Sequence, residues 1–214
     1  MTYRIIPQQL INSIRALYAA PNRFYHSLNH LDHLIVTKDK VLTEFMNDEE
    51  LWEDINLRTV DDYLSLAILF HDAEYNIWAG SPVNEKKSVM MMWDKSTILQ
   101  ENGWTHNDLT IVSQMIWTTA EHHKDNSETS FLEQLMLDID IANFSESLDV
   151  CKYNQNQIFL EFEPRFPNKD QFLAGNVSFL QSLLDRPTLY YTPLFADKEA
   201  KARSNIEAMI KGGN

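Results

Sequence analysis

The sequence predicts an all-α fold in a single compact domain, and three observations carry that prediction. Only five glycines and seven prolines punctuate 214 residues. Apolar residues recur every three to four positions, the period of a helix with one buried face. Helix-start signals, Pro7 and the capping-box pattern Thr105-His-Asn-Asp108 among them, stand ahead of apolar runs. A chain of this length buries roughly 70% of its unfolded surface and needs no covalent staple.

Pro7 opens a first helix with Leu10, Ile14, Leu17 and Tyr18 on one face, stopped before Pro21. The second helix starts at Asn22 or Ser27, runs through Leu31, Leu34, Ile35, Val41, Leu42 and Phe45, and ends in the polar stretch Asn47 to Glu50. Arg58-Thr59 introduces a third, apolar on all sides from Leu64 to Phe70 and therefore buried. Gly80, Ser81 and Pro82 place a loop over Asn76 to Asn84, followed by a helix from Val83 or Asn84 to Leu99. Its Met90, Met91 and Met92 read as deformable core filler. A helix from Thr105 towards Glu121 precedes His122-His123, and Ser127 or Ser130 starts the run Phe131 to Phe144. Leu148 to Phe162, Lys169 to Leu184 and Asp197 to Lys211 complete the set.

Composition narrows the function. One cysteine, Cys151, excludes an internal disulfide, and the opening Met-Thr-Tyr-Arg-Ile-Ile-Pro lacks a secretion-signal pattern, so a cytoplasmic location is expected. No stretch of 18 consecutive apolar residues suggests a membrane span. A formal charge of −13 repels a phosphate backbone and argues against general nucleic-acid binding, while one small anionic ligand stays compatible. A homo-oligomer is left open.

Chemistry concentrates on histidines and aspartates. His71-Asp72 closes the apolar run from Tyr63, and burying both groups costs several kcal/mol per unpaired group unless hydrogen bonds or a cation compensate. Taken alone, the doublet also fits a core histidine on a carbonyl beside a helix-end aspartate. His26, His30 and His33 stand at i, i+4 and i+7, one stripe on a continuous helix; if Asn22 to Ser27 is a loop, only His30 and His33 align. His122 and His123 sit where a helix-end imidazole meets free carbonyls. At about 100° per residue, Asp140 borders the face of Leu132, Leu135, Met136 and Ile139. Asp138 lies well away, solvated or paired with a surface cation.

Beyond these groups the sequence resembles one branch of the HD superfamily, the predicted metal-dependent HD phosphohydrolases. The resemblance rests on Arg23-Phe-Tyr25-His26-Ser-Leu-Asn29-His30-Leu, Phe70-His71-Asp72-Ala-Glu-Tyr75, Asn84-Glu85 with Ser88, and Leu137-Asp138-Ile-Asp140-Ile-Ala142. It continues in Arg186-Pro-Thr-Leu-Tyr190 and Glu199-Ala-Lys-Ala-Arg203-Ser-Asn205. It implies an HD-domain-like helical bundle, with a metal-site core over about residues 22–145 and C-terminal helices packed on it. The implied metal ligands are His30, His71, Asp72 and Asp140, with His26 beside them or replacing His30. His33 and Glu74 depart from the branch pattern.

Imidazole with carboxylate suits a divalent ion such as Mn, Fe, Co, Ni, Zn or Mg, one or two in number. Such an ion lowers the pKa of water and polarises a phosphoryl oxygen, so the resemblance implies hydrolysis of a small phosphorylated metabolite or nucleotide. Catalytic roles then fall to Asp72, His122 and Glu74. Substrate contacts fall to Arg23, His26, Tyr75, His123 and Arg203, and Lys86, Lys87, Lys124 and Arg165 are further cations for a phosphate. Two alternatives share the ligand set: an HD-like di-iron oxygenase, and a metal-stabilised binding protein without turnover.

Overall fold

A computed structural model describes residues 3–45, 56–166 and 168–212. Among them stand α1 (Gln8–Tyr18), α2 (Leu28–Phe45), α3 (Leu57–Phe70), α4 (Val83–Asp94), α5 (Ser96–Glu101), α6 (His106–Thr118), α7 (Phe131–Asp140), α8 (Leu148–Phe162), α9 (Lys169–Leu184) and α10 (Glu199–Gly212). Three short 3-10 turns link them at Thr119–Glu121, Ala142–Ser145 and Pro193–Lys198. No strand occurs among the described residues, so the fold is all-α, as expected. No helix among them is long and apolar enough to cross a membrane.

The helix starts follow side-chain chemistry. Asn56 accepts from Thr59 N and opens α3. The Thr105–Asp108 box opens α6, and a second box, Ser130 with Glu133, fixes the start of α7 at Ser130 rather than Ser127. Ser147 and Asn168 cap α8 and α9, whose bounds coincide with the sequence expectation. The expected helix over 83–99 is instead two, broken at Lys95 (φ −98°, ψ 5°) where Asp94, Ser96 and Thr97 are weak helix formers. α7 stops at Asp140 because Ile141 leaves helical geometry, so 142–145 is a 3-10 turn and not more α-helix. The polar stretch 47–50 expected to end α2 lies outside the described residues.

Buried on every side, α3 is the hub: Leu64, Leu66, Ala67, Ile68 and Phe70 are each at most 0% exposed. It packs against α1, α2, α4, α6 and α7, while α10 closes over α8, α9 and the 142–145 turn. Met92 joins this core and Met91 packs against it, but Met90 is 57% exposed, contrary to the core assignment. Successive residues at 100° intervals cannot all face one core.

Candidate metal centre

Three helices of the hub meet at one point. Leu31 and Leu34, fully buried, seat α2 and leave His30 facing α3. The C-terminal end of α3 presents His71 and Asp72, and the last residue of α7 is Asp140. His30 Nε2 lies 3.4 Å from His71 Nε2 and 3.8 Å from Asp72 Oδ2. Asp140 Oδ1 is 3.4 Å from His30 Nε2 and 3.7 Å from His71 Nε2, and Asp72 Oδ2 is 3.0 Å from His71 Nε2. Donor atoms bound at about 2.1 Å to one ion stand roughly 3.0 Å apart at right angles and 3.4 Å apart in a tetrahedron. His30, His71 and Asp72 form a nitrogen and carboxylate-oxygen group whose donor atoms all lie within 4.8 Å of one another, a set that could hold one divalent cation, and Asp140 approaches its two histidines from the side.

Hydrogen bonds from the surroundings orient these donors. His71 Nδ1–H donates to Ile68 O at 2.8 Å, which leaves Nε2 for the cluster. Arg23 donates to the carbonyls of Asp72 and Ala73 at 2.6 and 2.8 Å, and stacks on the rings of Tyr18 and Tyr75. It satisfies the orphan carbonyls at the end of α3. Tyr18 adds a hydroxyl that accepts from Asp72 N and donates to Leu69 O.

Electrostatically, the cluster demands positive charge. Burial opposes an imidazolium at His71, but Asp72 and Asp140 outweigh it and push His71 up to about 9. Burial likewise opposes ionisation of Asp72, yet His71 and His26 hold its carboxyl well below the usual range. Asp140 is held low in the same way, its burial outweighed by His122 and His30. Burial, helped by the neighbouring charge of His71, pulls His30 down against the opposing pull of Asp140 and Asp72, toward the neutral state a ligand needs.

Asp140 also ties in His122, whose Nε2 is 2.8 Å from Oδ2 and whose buried Nδ1 has no protein partner. His26 does not belong to an α2 stripe, because 22–27 is a turn ahead of the helix. It stacks on Tyr75 with ring centroids 4.0 Å apart, its Nδ1 2.7 Å from Glu161 Oε1. Of the two candidate first ligands, His30 is the one among the cluster atoms. His33 sits on α2 as expected, with Nε2 buried and unpartnered.

A cavity of about 460 Å³ opens beside these groups, lined by His26, His30, Asp72, Tyr75, His122 and Asp140 and then by residues of α8 and α9. The other residues singled out in the sequence lie elsewhere. Glu74 donates its N–H to Ser88 and pairs with Lys87 at 3.6 Å, outside the lining. His123 is exposed and away from the cavity. Arg203 is bonded to Glu199 and to the carbonyls of Leu184, Arg186 and Pro187. None of the six cations proposed for a phosphate lines the cavity.

Asp138 corrects a sequence expectation. It is fully buried, accepting from Tyr191 N, Thr192 N and Thr192 Oγ1 at 2.8, 2.7 and 2.6 Å, and burial pushes it up to about 7. The helical projection counted only one covered face of α7; the 189–195 segment covers another. Two residues, Glu161 and Asn143, escaped sequence reasoning altogether, and Glu85 entered it only within the Asn84-Glu85 motif, with no role assigned. Glu161 accepts from the backbone N–H groups of Phe24, Tyr25 and His26, Asn143 Nδ2 donates to Tyr25 Oη, and Glu85 faces the cavity with Oε2 unpartnered. Only Glu85 had a local signal, its place after Asn84. The chain matches no protein-family model, no curated protein and no solved structure.

Proposed function

We propose that this chain is an HD-type metal-dependent phosphohydrolase acting on a small phosphate ester. The observation that carries the reading is the convergence of His30, His71, Asp72 and Asp140, from three helices, at the head of a 460 Å³ cavity. The quoted motifs from Arg23 to Asn205 add the family resemblance.

A divalent ion bound by those four residues supplies Lewis acidity toward a phosphoryl oxygen and a lowered pKa for water. The chain's own residues do the rest. His71 and His30 present imidazole nitrogens fixed by the Ile68 carbonyl and by burial. Asp140 holds His122 through Nε2 at the cavity wall, where the ring is placed to contact the phosphate or to deliver the proton that the departing alcohol oxygen needs as the P–O bond breaks. Glu161 fixes His26 beside the cluster, and Tyr25 and Tyr75 wall the cavity.

The test is elemental analysis of protein purified without added metal, beside His71→Ala, with a phosphate-release screen over phosphate esters. One or two equivalents of metal, lost in His71→Ala together with turnover, is the expected result. Iron with oxygen consumption and no phosphate release would replace the hydrolase by an oxygenase. No metal even after reconstitution would return the cluster to a structural role.

A further inference from the structure

Resting on the phosphohydrolase reading, we propose the class of its substrate: a phosphomonoester whose body is uncharged and mainly apolar, with polyphosphates rejected. Two properties of the cavity lead there, its charge and its walls.

The cavity holds about fifteen water-sized groups, far more than a phosphate group alone, and its size is that of an ordinary small-molecule site. Among the described residues that line it there is no lysine and no arginine; its formally charged members are the acids Asp72, Glu85 and Asp140 beside three histidines. Sites that hold di- and triphosphates surround the extra oxygens with guanidinium or ammonium groups. Here the nearby cations are committed elsewhere. Arg23 is bound to the Asp72 and Ala73 carbonyls, and Arg165 donates to the Ile77 carbonyl at the rim. A second phosphate would enter beside Glu85, whose Oε2 already lacks a partner.

The remaining wall comes from α8 and α9, where Ile158, Phe162, Phe172 and Phe179 face the space. The two helices are bridged by Gln155 Nε2 donating to Asn176 Oδ1 at 2.6 Å, and the polar members of this wall, Asn154 and Gln171 included, are uncharged. Gly175, on the same wall, has no atom within 4 Å of where a Cβ would stand. An apolar wall beside open space favours an apolar occupant, which removes both surfaces from water.

Gly175 supplies the test. In Gly175→Leu bulk is added on the cavity wall at a position whose new Cβ meets no neighbour, and replacing a mid-helix glycine favours the helix. Calorimetry on metal-loaded protein would compare octylphosphonate with methylphosphonate, neither of which is hydrolysed. The octyl compound is expected to bind at least about tenfold more tightly, with that preference abolished in Gly175→Leu and methylphosphonate binding unchanged. Phe179→Ala, at a residue 38% exposed, is expected to weaken octyl binding in the same direction and guards against a misfolded variant. In turnover, 1-naphthyl phosphate is expected to exceed glycerol phosphate, and AMP to exceed ADP and ATP at saturating metal.

Equal binding of the two phosphonates, an octyl preference that survives in both variants, or ADP cleaved faster than AMP would overturn the proposal. Selective octylphosphonate binding with no ester cleaved would keep the cavity assignment and sink the hydrolase. Cleavage with no preference for the body would do the reverse.

Discussion

Two buried clusters of ionisable side chains flank α3, and they are built on opposite plans. In one, Asp108 at the head of α6 takes hydrogen bonds from Arg4 Nη2 at 2.9 Å, from Tyr63 Oη and from Thr105 N at 2.7 Å. Its charge is met by a guanidinium, and it does not line the cavity beside His30 and Asp72. In the other, Asp72 and Asp140 are met only by imidazoles, at the edge of a cavity. An acid closed off by arginine and backbone N–H groups is part of the scaffold. Two acids that hold a proton on a neighbouring histidine beside open space leave a charge that a metal ion could supply in the proton's place, and that contrast is the physical basis for proposing the chemistry at the second cluster.

The contrast breaks most sharply at the ligands. His71→Ala or Asp140→Ala is expected to lower metal affinity by more than about 100-fold, exceeding what loss of an outer-shell partner costs, with phosphate release lost in parallel. Metal retained at full stoichiometry by either variant would dissolve the difference between the clusters. Asp108→Asn is the converse experiment. It should cost about 3 kcal/mol of stability by leaving Arg4 with only the longer 3.7 Å ion pair to Asp62, while metal content stays as in the parent chain.

The same variant has a pH signature. Burial pushes the Asp108 carboxyl up, but the hydrogen bonds from Arg4, Tyr63 and Thr105 outweigh it and hold the group well below the usual carboxylate range. A carboxyl depressed in the folded state contributes stability that is complete above its unfolded value of about 4 and is lost as pH falls through the folded value. Denaturant titrations of the parent chain and Asp108→Asn should therefore differ by a constant amount above about pH 4 and draw together as pH falls below it.

How much of this was legible in the sequence depends on whether a residue acts along its own helix or across the fold. Period and capping chemistry reveal α6, α8 and α9, and the apolar run from Leu64 to Phe70 reveals the buried hub, because these are properties of consecutive residues. His71, Asp72 and Asp140 were visible because they end helices whose buried faces can be drawn. Glu161 was not: it lies 135 residues from His26, and its part in the site depends on α8 crossing the turn before α2. Asp138 was misplaced for the same reason, since Thr192 reaches it from 54 residues away. Tertiary contacts of that separation leave no local pattern to read.

Smaller effects sharpen the boundary between the site and its scaffold. Glu161→Gln keeps the shape but removes the charge beside His26. Burial opposes an imidazolium there, while Asp72 and Glu161 outweigh it and raise His26. The substitution should lower the His26 titration point seen by NMR in metal-free protein. It should reduce kcat/KM roughly tenfold with metal stoichiometry preserved, the scale of an outer-shell change.

Arg203 marks the far side of the boundary, and its expected effect is the smallest. Its resemblance-derived role is substrate binding, yet its guanidinium is spent on Glu199 and on three carbonyls between Leu184 and Pro187. Glu199 in turn accepts from the N–H groups of Leu189 and Tyr190 at 2.8 and 3.0 Å. The pair thus anchors the end of α9 and the segment whose next residues, Tyr191 and Thr192, cap Asp138 on α7. Arg203→Lys keeps the charge but loses the planar fork that reaches several acceptors at once. It should cost about 1 kcal/mol of stability, the net worth of a typical hydrogen bond, with KM unchanged for whichever ester is cleaved. A raised KM at unchanged stability would move Arg203 back into the site and show that the substrate extends beyond the cavity.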